Sequence, residues 1–135
     1  MRYLAALVVV LVLGCGVATR QPPAPDTGTP LPELPGWVLV TDRDQSVSVH
    51  VGQKIEVVLT ERPRMTQWGP ITADDTTVLQ PVPTGITAPI GVTVAGFAAL
   101  KPGTATIRST AGPQCSPGQA CPMYAVLFSV RVTVT

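Results

Sequence analysis

The sequence has little charge, few aromatic side chains and a single histidine. Only 13% of the residues are charged and 4% are aromatic, and nine Lys and Arg residues stand against eight Asp and Glu residues, for a net charge of +1 at pH 7. Without a basic or an acidic excess, the chain has no field that would attract nucleic acid or cations. The composition therefore predicts no nucleic acid among its partners.

Residue types that carry catalysis are also scarce. The one histidine, His50, falls on the polar face of a predicted strand, which favours a solvated side chain over a general base or a metal ligand. No Gly-x-Ser-x-Gly motif occurs, and no group of His, Cys, Asp and Glu has the spacing of a zinc site. A triad built on His50 stays open, because triads are assembled in space. We predict a non-catalytic protein without a metal or a cofactor.

The aspartates offer an alternative to this prediction. Asp42 and Asp44 could join Asp74 and Asp75 in a calcium site if their loops met, because calcium binds several hard oxygen ligands. Aspartate is also a common turn residue, and this is the interpretation that we favour.

The sequence contains no hydrophobic run long enough to cross a membrane as a helix. The apolar stretch 4–13 would be roughly 15 Å long as a helix, about half of the hydrocarbon core of a bilayer. It follows Arg2 and ends at Gly14, which is the pattern of a secretion signal. We therefore expect an exported protein.

The end of this stretch, Val12-Leu13-Gly14-Cys15, resembles the lipobox of bacterial lipoproteins. The resemblance implies that residues 1–14 are a signal peptide and that Cys15 is acylated and becomes the new N-terminus. A lipid on Cys15 would anchor the protein in the cell envelope, at the outer face of the cytoplasmic membrane or in the outer membrane, so the membrane is a predicted partner. The alternative is an ordinary signal peptide whose cleavage site lies near a cysteine.

Residues 15–35 combine this cysteine with a proline-rich linker. Six prolines lie between positions 22 and 35. Proline fixes φ and has no backbone N–H, so neither a helix nor a central strand is expected here. At about 3 Å per residue, such a spacer would reach roughly 50 to 60 Å and hold the folded part off the bilayer.

From residue 36 to 135 the pattern changes to short runs that alternate apolar and polar side chains. Val47, Val49 and Val51 alternate with polar residues, and the last run alternates from Val126 to Val134. We place a bulge at Gly96, where the alternation changes phase. Strands are predicted over 37–41, 47–51, 54–60, 76–80, 92–100, 104–110 and 126–135.

Seven short strands without any helical period predict an all-β, immunoglobulin-like antiparallel β-sandwich, with a small closed barrel as the competing architecture. The second and third strands form either a hairpin or a switch from one sheet to the other. The core would take the inward valines with Trp37 or Trp68, Phe97 and Phe128.

The cysteines outside the lipobox indicate a disulfide. Cys115 and Cys121 have five residues between them, in a loop rich in Gly and Pro before the last strand. In an exported protein such a pair predicts a disulfide that pinches the loop. A redox pair or a metal site is the alternative, but the Cys-x-x-Cys spacing and partner histidines are absent.

Two loops are candidates for a binding surface. In an immunoglobulin-like topology the loop 111–124 would lie near the loop 61–67, at one end of the sandwich. The alternative is that their side chains only decorate the loops. The candidate contacts are Arg62, Pro63, Arg64, Met65, Trp68, Gln114, Met123 and Tyr124.

Several segments between Ser46 and Thr135 resemble the chagasin-type inhibitors of papain-like cysteine peptidases. They are Val-Gly-Gln-Lys-Ile-Glu-Val-Val-Leu at 51–59, Trp68, Phe-Ala-Ala-Leu at 97–100, Pro-Gly-Thr-Ala-Thr-Ile at 102–107 and Phe-Ser-Val-Arg-Val at 128–132. The resemblance implies an immunoglobulin-like domain that inhibits such peptidases with its loops.

The inhibitory loops themselves depart from that family. Arg62-Pro63-Arg64-Met65-Thr66 stands where the family has Asn-Pro-Thr-Thr-Gly, so only the proline corresponds. The segment 85–91 echoes its glycine-rich middle loop, and 111–115 replaces its Arg-Pro-Trp motif. The resemblance thus extends to the fold rather than to the inhibitory residues.

The leading hypothesis is a lipid-anchored, extracytoplasmic module that binds a protein or an envelope ligand without catalysis. The first alternative is a chagasin-like inhibitor of papain-family cysteine peptidases. The second is a structural component of the envelope.

Overall fold

The computed structural model describes residues 34–135, which form eight β-strands. The predicted signal peptide, Cys15 and all but the last two linker residues lie outside this range. Within it, no helix has the length and hydropathy needed to cross a membrane. The strands are β1 (Val38–Thr41), β2 (Ser46–Val49), β3 (Lys54–Thr60), β4 (Thr72–Ala73), β5 (Leu79–Val82), β6 (Val92–Ala99), β7 (Gly103–Ala111) and β8 (Val126–Val134).

The strands form two four-stranded sheets. Sheet A has the order β1-β3-β6-β5, and sheet B has the order β2-β8-β7-β4. The pairs β1–β3 and β2–β8 are parallel, and the other neighbours are antiparallel. The predicted fold class, an immunoglobulin-like sandwich, is confirmed. Because β2 and β3 lie in different sheets, the chain switches sheets between them and does not form a hairpin.

The core lies between the two sheets and is built from alternate residues of the long strands. In β3, Ile55, Val57 and Leu59 are all fully buried, as the period of two predicts. Trp68 packs its edge against Phe128 with ring centroids 6.3 Å apart and ring planes at 72°. Burial of this apolar surface is the main force that holds the two sheets together. The buried core residues are Val40, Val49, Ile55, Val57, Leu59, Met65, Trp68, Val78, Leu79, Phe97, Ala99, Ala105, Ile107, Ala111, Phe128, Val130, Val132 and Val134.

Two elements differ from the predicted strands. β5 runs through Pro81, where the sequence predicted an end, and begins only at Leu79. It pairs with β6 alone, so it is an edge strand, and an edge strand tolerates a proline that cannot donate a hydrogen bond outward. β4 was not predicted, because two residues are too short to show any alternation.

The bulge predicted at Gly96 is absent. The register of β6 against β3 is continuous from Ala98 opposite Lys54 to Val92 opposite Thr60. Glycine is required here because neighbouring atoms leave no room for a side chain. A Cβ at this position would lie 2.6 Å from the carbonyl oxygen of Val82 and 2.9 Å from Cζ3 of Trp37. The change in alternation around Gly96 therefore coincides with the place where the Trp37 ring covers the outer face of sheet A.

Residues 34–37, here called the strap, lie against the outer face of sheet A. The backbone N–H of Leu34 donates a hydrogen bond of 2.7 Å to Oε2 of Glu56, and Nζ of Lys54 lies 5.2 Å from the centroid of the Trp37 ring. Glu56 points outward, as its place in the alternation predicts, yet it is only 1% exposed. Its Oε1 has no hydrogen-bond partner among the described residues. Trp37, one of two tryptophans proposed for the core, thus belongs to this outer layer.

Candidate functional site

Three loops gather at one end of the sandwich, and we call them together the loop end: residues 61–71, 83–91 and 112–125. The first follows β3, the second precedes β6, and the third joins β7 to β8. The backbone N–H of Glu61 donates to the carbonyl of Gly91 at 2.7 Å, and that of Thr66 donates to the carbonyl of Gly112 at 2.8 Å. Loop 61–71 is therefore the middle loop and is bonded to both of the others.

The contact between the middle and last loops continues as a short ladder. Besides the bond from Thr66, the N–H of Gly112 donates to Oγ1 of Thr66 at 3.0 Å, and the N–H of Gln114 donates to the carbonyl of Arg64 at 2.9 Å. Met65 and Pro113 face each other as an isolated antiparallel bridge. The two loops predicted to be neighbours are thus held in register by their backbones.

Arg64 occupies the turn of the middle loop in a left-handed conformation, with φ of 63°. Residues other than glycine, asparagine and aspartate rarely adopt this backbone conformation. The hydrogen bond that its carbonyl accepts from Gln114 helps to hold the residue there. The ladder between the loops therefore also fixes the shape of the tip.

Two of the predicted contact residues support the loops from inside and offer no surface for a partner. Trp68 is 4% exposed and Met65 is 6% exposed. The indole Nε1 of Trp68 donates to the carbonyl of Thr60 at 2.9 Å, and the Arg62 guanidinium lies over its ring at 5.4 Å. Proposing Met65 and Trp68 as contacts was wrong in this respect, because the core extends into the middle loop.

The other predicted contacts are accessible. Met123 is fully exposed and Tyr124 is 53% exposed, and the hydroxyl of Tyr124 lies 3.8 Å from the sulfur of Met65. The remaining four, Arg62, Pro63, Arg64 and Gln114, are exposed as well.

Ile90 is a further candidate that the sequence analysis missed. It lies in loop 83–91 and is fully exposed. The signal was an aliphatic residue between Pro89 and Gly91, outside any alternating run. Because loop 83–91 belongs to the loop end, this exposed side chain joins the candidate contacts.

The predicted disulfide is present in the last loop. Cys115 and Cys121 are bonded, with their Cα atoms 5.5 Å apart, and both residues are exposed. The bond closes a small ring just before Met123. In the chain-entropy model, closing a short loop removes roughly 2 kcal/mol of unfolded-state entropy, so the disulfide restricts the segment that presents Met123.

The remaining polar candidates lie apart from one another. His50 is exposed, and its Nδ1 lies 3.1 Å from Oγ1 of Thr135. No three His, Cys, Asp or Glu side chains within residues 34–135 lie close enough to hold a metal ion. The four aspartates considered for calcium are engaged by separate partners: Asp42 by Arg62, Asp44 by Thr41, Asp74 by Thr106 and Asp75 by Thr77.

No protein-family model matches the chain, and no curated protein matches its sequence. Among solved structures, the chain is similar to the cysteine protease inhibitor EhICP2 from Entamoeba histolytica, with a TM-score of 0.48 and 18% sequence identity over 73% of this chain and 94% of that one. It is also similar to amebosin, with a TM-score of 0.42 and 16% identity over 73% of this chain and 98% of that one. The first of these proteins belongs by its name to the cysteine protease inhibitors, the class that the sequence resembles.

Proposed function

We propose that the loop end binds a protein partner and that this partner is a papain-like cysteine peptidase, which the domain inhibits by occupying its active-site cleft. One observation carries the proposal: the middle loop is held between its two neighbours by backbone hydrogen bonds on both sides. Three loops bonded in this way form one binding surface that is already ordered before a partner arrives. The resemblance of the strands to the chagasin-type inhibitors supports the choice of peptidase class.

Such an inhibitor needs no chemistry of its own. Binding costs less when the binding residues are already ordered, because little conformational freedom is then lost. The ladder between the middle and last loops and the disulfide of Cys115 supply that order. Ile90 and Met123 offer apolar side chains from the two outer loops, and burying them in a cleft is favourable.

The charge of the middle loop adds a requirement for the partner. Arg62 and Arg64 are exposed on either side of Pro63, and the carboxylate of Asp42 lies 3.6 Å from Arg62. Arg64 has no ion pair among residues 34–135. We therefore expect a peptidase whose cleft has an acidic rim, since complementary charge speeds association and excludes wrong partners.

The experiment is a titration of papain with the chain 16–135, followed by hydrolysis of a fluorogenic peptide. We expect saturable, reversible inhibition at submicromolar concentration, the range of specific complexes of this kind. Replacing both Ile90 and Met123 with Ala should weaken inhibition about tenfold or more. Leu100→Ala is the matched control, because Leu100 is also an exposed apolar residue but lies beyond the last residue of β6, away from these loops. Full papain activity at micromolar chain would reject the peptidase.

The proposal also places the domain outside the cytoplasm on a lipid anchor at Cys15. The charged start, the short apolar stretch and the lipobox-like ending support this, and so does a disulfide, which forms in oxidising compartments. Mass spectrometry of the mature N-terminus is the test. We expect a diacylglyceryl mass on Cys15. An unmodified Cys15 would reject the lipid anchor and favour an ordinary signal peptide.

A further inference from the structure

The outer face of sheet B is made almost entirely of hydroxyl side chains around two arginines. The arginines are Arg108 on β7 and Arg131 on β8, and both are exposed. Apart from Leu127, their outward neighbours on β2, β7 and β8 carry hydroxyl groups and are exposed or half-buried: Ser46, Ser48, Thr104, Thr106, Thr110, Ser129 and Thr133. This face therefore presents many hydrogen-bond donors and acceptors with a positive centre.

The strand register brings the two arginines together. Arg108 lies opposite Ser129, and Thr106 lies opposite Arg131, so the arginines are diagonal neighbours on one face, with Cα atoms roughly 7–8 Å apart. Two side chains of this length can converge on one group from that distance. They line a groove with Gln45, Ser46, Thr106 and Ser129.

Within residues 34–135 neither arginine of this pair forms an ion pair with a carboxylate. Asp44 accepts hydrogen bonds from Thr41 and Asp74 accepts the backbone N–H of Thr106 at 2.7 Å, so the carboxylates nearest in sequence to the groove residues have partners other than the two arginines. Like charges at adjacent positions of a sheet repel each other. An anion between the two arginines would remove that repulsion.

We propose that this groove binds the oxyanion of an acidic polysaccharide, a polymer of sugars that carries carboxylate groups. The guanidinium group matches a carboxylate with two parallel hydrogen bonds. The serine and threonine hydroxyls on either side can form hydrogen bonds with the hydroxyls of the flanking sugars. A bare anion would leave these side chains without partners. Two cations would contribute only about 1 kcal/mol each at an anionic membrane surface. The row of hydroxyl side chains, rather than the charge, therefore favours the polysaccharide over the membrane.

The test is affinity electrophoresis of the chain 16–135 in native gels that contain polygalacturonate, with dextran as the neutral polymer. We expect retardation by polygalacturonate but not by dextran, and less retardation at physiological than at low ionic strength. Arg108→Gln with Arg131→Gln should weaken the apparent affinity about tenfold. Inhibition of papain should be unchanged in this double variant, because neither arginine belongs to the loop end.

The matched control removes the same charge elsewhere. Lys54→Gln with Lys101→Gln lowers the net charge equally, but Lys54 is on the outer face of sheet A and Lys101 is in the turn before β7. This variant should retain the wild-type affinity. Equal losses in both double variants, or a wild-type chain that passes polygalacturonate unretarded, would overturn the proposal. Tighter retention on phosphatidylglycerol vesicles than on polygalacturonate would also overturn it and assign the face to membranes.

Discussion

The two sheets of this sandwich alternate in the same way along their strands, yet their outer faces are different environments. On sheet A, Glu56 and Val58 point outward and are each 1% exposed, whereas on sheet B the outward residues of β8 include Ser129 and Arg131, which are exposed. At Glu56 the difference arises because the four-residue strap lies on sheet A and its Leu34 N–H donates a hydrogen bond to the carboxylate. A polar residue on the outer face of a strand is thus not necessarily in water, and its burial is decided by segments remote from the strand.

The largest expected effect comes from filling the space under Trp37. Gly96→Ala would place a Cβ 2.6 Å from the carbonyl oxygen of Val82 and 2.9 Å from the Trp37 ring, so the edge strand and the strap must both shift. We expect a loss of about 2–3 kcal/mol in the free energy of unfolding, measured by urea denaturation.

Gly112→Ala is the control for this change. Gly112 has no positive φ, and the nearest atom to an added Cβ is Oγ1 of Thr66 at 4.0 Å. Its free energy of unfolding should stay within about 0.5 kcal/mol of the wild type. If the two glycine variants were equally stable, the outer face of sheet A would not be closely packed.

An intermediate effect on stability is expected from removing the Trp37 side chain, which covers the outer face of sheet A. Trp37→Ala takes away the half-buried indole that lies over Gly96 and under Lys54. We expect a loss of about 2 kcal/mol in the free energy of unfolding, corresponding to roughly half of a tryptophan surface.

Leu127→Ala is the counterpart on sheet B. Leu127 is an outward apolar residue of β8 and is 60% exposed, so its removal should cost about 0.5 kcal/mol or less. Comparable losses for the Trp37 and Leu127 variants would contradict the contrast between a covered and an open face.

The smallest effect concerns the segment where the chain crosses from sheet B to sheet A, between β4 and β5. There the hydroxyl of Thr77 donates to Oδ1 of Asp75 at 2.6 Å, and the backbone N–H of Thr77 donates to the same oxygen at 2.9 Å. These bonds, the one from the hydroxyl first, lower the pKa of Asp75 below its ordinary value.

Because the pKa of Asp75 is lower in the folded than in the unfolded chain, its contribution to stability is present above the unfolded pKa and is lost as the pH falls through the folded pKa. Asp75→Asn should therefore be less stable than the wild type at neutral pH and equal to it in strong acid. Urea midpoints across this pH range provide the measurement. A difference that does not change with pH would assign the effect to packing rather than to charge.

The sequence predicted the strands whose inner face meets the core along their whole length. In β3, β7 and β8, alternation of residues such as Ile107 and Val132 with polar neighbours places the apolar side in the core, whatever the rest of the chain does. The disulfide was predictable for a similar reason, since Cys115 and Cys121 are close in sequence. The adjacency of the middle and last loops followed from the fold class.

Features that depend on remote contacts could not be predicted from local pattern. The burial of Glu56 comes from the strap, and the requirement for Gly96 comes from the strap together with β5. Pro81 fits β5 only because that strand is at an edge. In the loops, Met65 and Trp68 carried no local signal to separate a supporting residue from a contact. Only packing decides that the core reaches into the middle loop.

The parallel pairing of β1 with β3 determines how the domain would bear mechanical load. Val38 lies opposite Ile55 and Thr41 lies opposite Val58, so the chain enters beside the start of β3, while the loop end begins after its last residue, Thr60. A pull on the chain ahead of Leu34 and a grip on those loops would thus act at opposite poles, along the strand axes. The hydrogen bonds between β1 and β3 would then be loaded in shear and would have to break together, an arrangement that resists tearing far better than peeling them apart one at a time.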